Sequence, residues 1–189
     1  MGLSNFSKIF GKLFSKNDIH ILVLGLDAAG KTTILKKLNL GEAIAIPNID
    51  FHIEMVEHKG IKFLEWDLGG CGIRHQFIPQ CLNSQIIDAI IYVVDSCDQD
   101  PFRIQDSKVQ LQKLMTEDRL QDAALLVFAN KQDLPKAMSL SDLSEKLELN
   151  SYINREQHIQ ACSAKTGEGL QQGFEWLSTI INERYKRTK

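Results

Sequence analysis

Gly25-Leu-Asp-Ala-Ala-Gly30-Lys31-Thr32 decides how this chain is read. The stretch fills G-x-x-x-x-G-K-[ST] without a gap. It follows the short apolar run His20-Ile-Leu-Val-Leu24 and opens a helical pattern from Lys31 to Leu40, with Ile34, Leu35 and Leu38 on one side. Strand, glycine loop and helix are the context that distinguishes this motif from a plain glycine turn. Glycines let backbone N–H groups wrap a β-phosphate, and the helix start adds its positive dipole end. Lys31 is expected to neutralise β/γ oxygens, and the Thr32 hydroxyl to bind Mg²⁺.

Outward from the loop, apolar runs and helical patterns alternate. Phe51-His-Ile-Glu-Met-Val-Glu57 and Ile61-Lys-Phe-Leu-Glu-Trp66 alternate in polarity around Lys59-Gly60, which predicts a hairpin. Ile86 to Val94, Ala123 to Ala129 and Ile159 to Cys162 read as further strands, the first broken only by Asp88. Helical patterns run from about Arg103 to Met115, Ser141 to Leu149 and Leu170 to Tyr185. The order predicts a doubly wound α/β fold: a mostly parallel six-stranded sheet, one antiparallel edge strand and helices on both faces.

Composition agrees with one globular domain. The 189 residues are 43% hydrophobic and 24% charged with a net charge of −2, which excludes disordered and fibrous classes. Near-neutral charge gives no footprint for nucleic acid. No stretch approaches the roughly 20 apolar residues of a membrane-spanning helix. Four cysteines (Cys71, Cys81, Cys97, Cys162) form no C-x-x-C pair, and five histidines show no ligand spacing, so a reducing, cytoplasmic setting is expected.

Three more strand-to-loop junctions carry chemistry. Asp67-Leu-Gly-Gly70 follows the second hairpin strand, where Asp67 can hold a Mg²⁺-bound water and the Gly70 N–H can meet a γ-phosphate. Alone, D-x-x-G is ordinary turn chemistry; behind a phosphate loop it gains meaning. Asn130-Lys131-Gln-Asp133 offers a carboxylate that can accept both N1–H and the 2-amino group of guanine, a pairing adenine lacks. Lys131 would lie along the base and Asn130 would brace neighbouring loops. Ser163-Ala164-Lys165 would direct the Ala164 N–H to guanine O6. Ligands of open α/β sheets bind at the C-terminal ends of strands, where all these loops fall.

With these residues in view, the chain resembles the small GTPases of the ADP-ribosylation factor (Arf/Arl) family over essentially its whole length. The most specific matches are Gly25 to Thr33, Trp66-Asp-Leu-Gly-Gly70, Val94-Asp-Ser96 and Leu126 to Pro135. The resemblance implies a small-GTPase domain over residues 18–189 that binds GTP or GDP with Mg²⁺. It implies nucleotide contacts from Asp27, Ala28, Ala29, Gly30, Lys31, Thr32, Thr33, Gly70, Asn130, Lys131, Asp133, Ser163, Ala164 and Lys165. Its metal positions are Thr32, Asn48 and Asp67, and its catalytic positions Gly70 and Cys71. It also implies an exchange factor, a GTPase-activating partner, effectors and vesicle-traffic work on a Golgi-type membrane, reached by a myristoylated N-terminal helix. Arf-like proteins also serve cilia and mitochondria, and nothing in the sequence selects among these.

Residues 1–17 support the last point independently. At ~100° per residue, Leu3, Phe6, Ile9, Phe10, Leu13 and Phe14 fall within about 140° of arc, with Lys8, Lys12 and Lys16 opposite. A basic amphipathic helix of this kind reads as a membrane-surface element. Gly2 permits myristoylation, although Phe6 stands where the motif wants Ser or Thr. Packing on the domain or on a partner is an alternative use of the helix. The acid-free, Ser- and Lys-containing composition also fits a mitochondrial presequence.

Departures from the family pattern concentrate where switching and hydrolysis occur. Ile46-Pro-Asn-Ile-Asp-Phe51 stands for the family's I-P-T-I-G-F. Asn48 replaces the threonine that completes the Mg²⁺ shell, and Asp50 adds a negative charge near the γ-phosphate. Cys71 replaces the glutamine that orients the attacking water, and a thiol is shorter and a weak hydrogen-bond partner. The next stretch, Gly72 to Pro79, is about two residues longer than usual and lacks the family's aromatic pattern. Two functions follow: a membrane-associated GDP/GTP switch with weak or absent hydrolysis, or a degenerate GTPase kept as a nucleotide-stabilised subunit of a larger assembly.

Overall fold

The computed structural model describes residues 19–37, 44–45, 53–58, 61–67 and 86–187. Within them, strands β1 (Ile19–Gly25), β2 (Ile44–Ala45), β3 (Ile53–His58), β4 (Ile61–Asp67), β5 (Ala89–Asp95), β6 (Ala124–Asn130) and β7 (Gln157–Ala161) form one sheet in the order β2-β3-β4-β1-β5-β6-β7. Neighbours from β4 through β7 pair in parallel, while β3 is antiparallel to both β4 and β2. Helices α1 (Lys31–Lys37), α2 (Pro101–Met115), α3 (Leu140–Lys146) and α4 (Leu170–Arg187) complete the α/β layers.

The doubly wound class is the one expected from the sequence. Among the described residues the sheet has seven strands rather than six, because Ile44–Ala45 adds a two-residue edge. Two residues show no alternation, so that edge leaves no trace in the sequence. The antiparallel strand β3 consequently sits one place in from the edge.

The apolar runs explain the sheet. Every residue of β1 and β6 is buried, as strands covered on both faces require. Period-two alternation splits their side chains between two cores. Ile21, Val23, Phe63, Ile91 and Leu126 pack with Ile34 of α1 and Phe174 and Leu177 of α4. Leu22, Leu24, Leu64, Tyr92 and Leu125 pack with Leu111 and Leu114 of α2 and Leu143 of α3. Each fully buried large side chain contributes about 1.5–3 kcal/mol. The Phe174 ring meets Phe63 edge-on at 6.5 Å and Phe128 at 5.6 Å.

Helix starts are fixed locally. Asp100 caps α2 by accepting the Phe102 N–H at 2.9 Å, with Pro101 in the first turn. Ser139 caps α3 through the Asp142 N–H at 3.1 Å. Strand register then aligns the exits: Gly25 pairs with Asp67, Asp95 with Asn130, and Ala129 with Ala161. The described strands that carry the motifs therefore end together along one side of the sheet.

Candidate functional site

The loop between β1 and α1 bends in ways that small residues permit. Gly25 has φ 149°, and a Cβ there would lie 2.3 Å from the Val93 carbonyl oxygen. Gly30 has φ 103°, and a Cβ there would lie 2.3 Å from Asn130 Nδ2. Ala28, between them, holds φ 58°, a left-handed conformation that costs on the order of 1 kcal/mol outside glycine. Lys31 is buried at 3% exposure, and its Nζ donates to Gly25 O at 3.0 Å and Leu26 O at 2.7 Å. The ammonium is thus held inside the loop, where a buried cation favours an anionic ligand.

Thr32 and Thr33 are exposed in the first turn of α1. The Thr32 hydroxyl donates to the Glu65 carboxylate of β4. Asp67, expected at the metal, ends β4 directly beside Gly25. Asp27 is gripped from α2: Arg103 Nη1 donates to Asp27 Oδ1 at 3.1 Å and Nη2 to Asp27 O at 2.9 Å. Arg103 Nε donates to Asp98 Oδ2 at 2.6 Å, and this bond, chiefly, raises the guanidinium pKa. The Asp27 side chain therefore anchors its own loop.

The other end of the site is built by Asn130, only 1% exposed at the end of β6. Its Nδ2 donates to Ala29 O at 2.7 Å, joining the base loop to the phosphate loop. Its Oδ1 accepts the Ala164 N–H at 2.8 Å. This N–H, which the sequence reading directs to guanine O6, is thus one of the two backbone groups that Asn130 holds in place. Lys131, at φ 67°, donates through Nζ to Asp95 Oδ2 at 2.6 Å. Asp133 accepts the Ser163 hydroxyl at 2.7 Å, which orients its carboxylate while leaving it exposed. Lys165 contributes its carbonyl to Lys37 Nζ at 2.8 Å.

Supporting contacts lock these loops together. Gln132 Nε2 donates to Ser96 Oγ at 2.8 Å and to Met138 O at 3.0 Å, and Ser96 in turn donates to the Asn130 carbonyl. Burial pushes the Cys162 thiol well above its ordinary range, and beneath the site its Sγ donates to Asn130 Oδ1 at 3.7 Å. Arg103 and Glu65 were not signalled by the motifs, and Gln132 stood within Asn130 to Asp133 without a role. Asp95 likewise stood within Val94-Asp-Ser96 without a role.

The loops bring Asp27 to Thr33, Asn130, Lys131, Asp133 and Ser163 to Lys165 into one cluster along the strand ends. Gly2, residues 1–17, Asn48, Asp50, Gly70 and Cys71 lie outside the described residues. Chemically, the cluster offers a buried ammonium in a tight backbone loop at one end and an oriented carboxylate at the other. That fits an elongated ligand with an anionic head and a planar tail carrying N–H donors. The sequence model of the ADP-ribosylation factor family matches residues 6–181.

Proposed function

The chain belongs to the ADP-ribosylation factor family of GTP-binding switch proteins, and on that premise we propose that it binds GDP or GTP with Mg²⁺ as a membrane-associated switch with weak or absent hydrolysis. The observation that carries the nucleotide reading is the double use of Asn130. One side chain ties the phosphate loop through Ala29 O and the base loop through the Ala164 N–H, so both ends are preorganised together. Lys31 would meet the β/γ oxygens, exchanging the loop carbonyls for phosphate. Asp133, steered by Ser163, would accept the guanine N1–H and 2-amino protons. Lys131, steered by Asp95, would lie along the base.

Mg²⁺, when bound, would offset charge between the β- and γ-phosphates. Thr32 fits such an ion, since its proton is directed to Glu65 and its lone pairs are left for a cation. Asn48 and Asp67 would complete the protein's ligand set. Cys71 and Gly70 occupy the hydrolytic position, and a thiol there does not orient water as the family's glutamine does. Gly2 and the amphipathic residues 1–17 would supply a lipid and a helix to the cytoplasmic face of a membrane, because one acyl chain alone holds only marginally. An exchange factor, a GTPase-activating protein and effectors are the partners this reading calls for.

A second reading is favoured by Asn48, Asp50 and Cys71, which all depart from the family at the switching positions. A subunit of a larger assembly could keep its nucleotide for stability alone; a ligand at 1,000 times its Kd adds about 4 kcal/mol. Chromatography of the nucleotide released on denaturing the purified protein separates the two. GDP that exchanges for added GTP supports the switch, and GTP that persists supports the subunit. Protein free of nucleotide that takes up neither GDP nor GTP contradicts both.

A further inference from the structure

Glu65 is a carboxylate where the strand pattern calls for an apolar residue. In β4, Ile61 and Phe63 point into the core beneath α1 and α4, while Leu64 points to the opposite core. Period two puts Glu65 in phase with Ile61 and Phe63, and across the parallel pairing it sits against Val23 of the same face. It is only 6% exposed. Burying a carboxylate among such neighbours costs several kcal/mol unless polar groups meet it. The Thr32 hydroxyl meets it from the first turn of α1, 33 residues away in sequence.

That contact has a directional consequence. A hydroxyl has one proton and two lone pairs. With its proton given to Glu65, Thr32 faces its surroundings as an acceptor only, the form a hard divalent cation takes up. Behind the oxygen stands a negative charge screened from water by the core. Carboxylates that accept from a metal's own ligand in this manner fix the ligand's orientation and raise metal affinity. The same charge repels the phosphates of a nucleotide when no cation stands between them.

We propose that Glu65 is a positioning residue for the divalent cation: it turns the Thr32 hydroxyl toward the ion and makes nucleotide retention depend more steeply on that ion. The proposal rests on the nucleotide reading above. It assigns Glu65 no contact with substrate. It predicts two opposite effects of removing the charge, namely weaker cation binding and slower nucleotide loss when the cation is withdrawn. A purely structural Glu65 would change stability and leave the cation dependence unmoved.

The test uses the full chain loaded with a fluorescent GDP analogue, with release followed against excess GDP from chelator to saturating Mg²⁺. Glu65→Gln keeps an acceptor for Thr32 and removes the charge. Glu65→Val restores the apolar pattern of the face and so should keep the fold. The free Mg²⁺ giving half-maximal retention should rise about tenfold or more in Glu65→Val, which removes acceptor and charge, and by less in Glu65→Gln, which removes the charge alone. The ratio of release rates between chelator and Mg²⁺ should shrink, with slower release in chelator. An unchanged midpoint and ratio in Glu65→Gln overturns the proposal while leaving nucleotide binding intact. Failure of the unmodified chain to retain the analogue in Mg²⁺ overturns the nucleotide reading itself, and the proposal with it.

Discussion

The Asn130 amide oxygen accepts the backbone N–H of Ala164 at 2.8 Å, both groups lying under the loops that leave β6 and β7. The amide nitrogen of the same side chain reaches Ala29 O at 2.7 Å, 101 residues earlier. Two parts of the site that share no sequence neighbourhood are thereby held at a fixed separation. A ligand spanning them finds its two ends already placed, and the ordering cost falls on folding rather than on binding.

Asn130→Ala should therefore weaken both the fold and the site. It leaves Ala29 O and the Ala164 N–H without their partner in a region where both residues are almost fully buried. Unsatisfied buried groups of this kind cost about 1–3 kcal/mol each, so about 2–6 kcal/mol is expected in urea unfolding. Added GDP should recover less stability than it does in the unmodified chain. A change under about 0.5 kcal/mol would mean that water or a shifted loop replaces both bonds.

Arg103→Ala should act on the loop and leave the fold alone. The Asp27 carboxylate is 62% exposed, and ion pairs with exposed partners contribute at most about 1 kcal/mol. The melting temperature should fall only slightly, the loss coming mainly from Asp98, which is 16% exposed and also loses its partner. Release of a fluorescent GDP analogue should accelerate roughly fivefold, as expected from about 1 kcal/mol of lost loop order. Arg103→Lys should not restore it, because a lysine cannot fork between Asp27 and Asp98. Equal release rates in all three proteins would assign the fork no part in binding.

Cys162→Ala should alter how stability responds to alkali. Burial raises the folded thiol far above the roughly 8.5 of an unfolded cysteine. Below that value both states are protonated and the thiol's contribution is whole. As pH rises past it the unfolded chain alone loses a proton, so stability falls by about 1.4 kcal/mol per pH unit. Tyr92, also raised by burial, acts in the same direction, beginning near pH 10. Urea unfolding in reductant at about pH 7.5 and 9.5 should show the wild-type advantage over Cys162→Ala shrinking by about 1.4 kcal/mol. Parallel losses in the two proteins would show that the buried thiol ionises in place.

What was legible in the sequence was local. The phosphate loop, Asn130 to Asp133 and Ser163 to Lys165 are contiguous strings whose meaning comes from the strand before them, and the apolar runs marked those strands. Boundaries blurred where burial and polarity part company: Ile86 is apolar yet 78% exposed, and β5 begins only at Ala89. Contacts between distant segments left no such signal. Arg103 reaches Asp27 across 76 residues, and Glu65 meets Thr32 across 33. The reading of Ile61 to Trp66 as alternating passes over Glu65, which lies in the apolar phase of β4, and the packing of α1 on that face says what it serves.

The central claim is that the cluster at the strand ends selects a guanine nucleotide through Asp133. Competition against a fluorescent GDP analogue, with GDP, ADP and xanthosine diphosphate on the unmodified chain and on Asp133→Asn, tests it most directly. GDP should compete at least about 100-fold better than ADP on the unmodified chain, since adenine offers neither proton that the carboxylate accepts. Asp133→Asn should lose about 2–3 kcal/mol for GDP, roughly 30- to 150-fold, and gain for the xanthosine nucleotide, whose 2-carbonyl accepts from an amide. Equal competition by ADP and GDP, or unchanged GDP affinity in Asp133→Asn, would contradict the account.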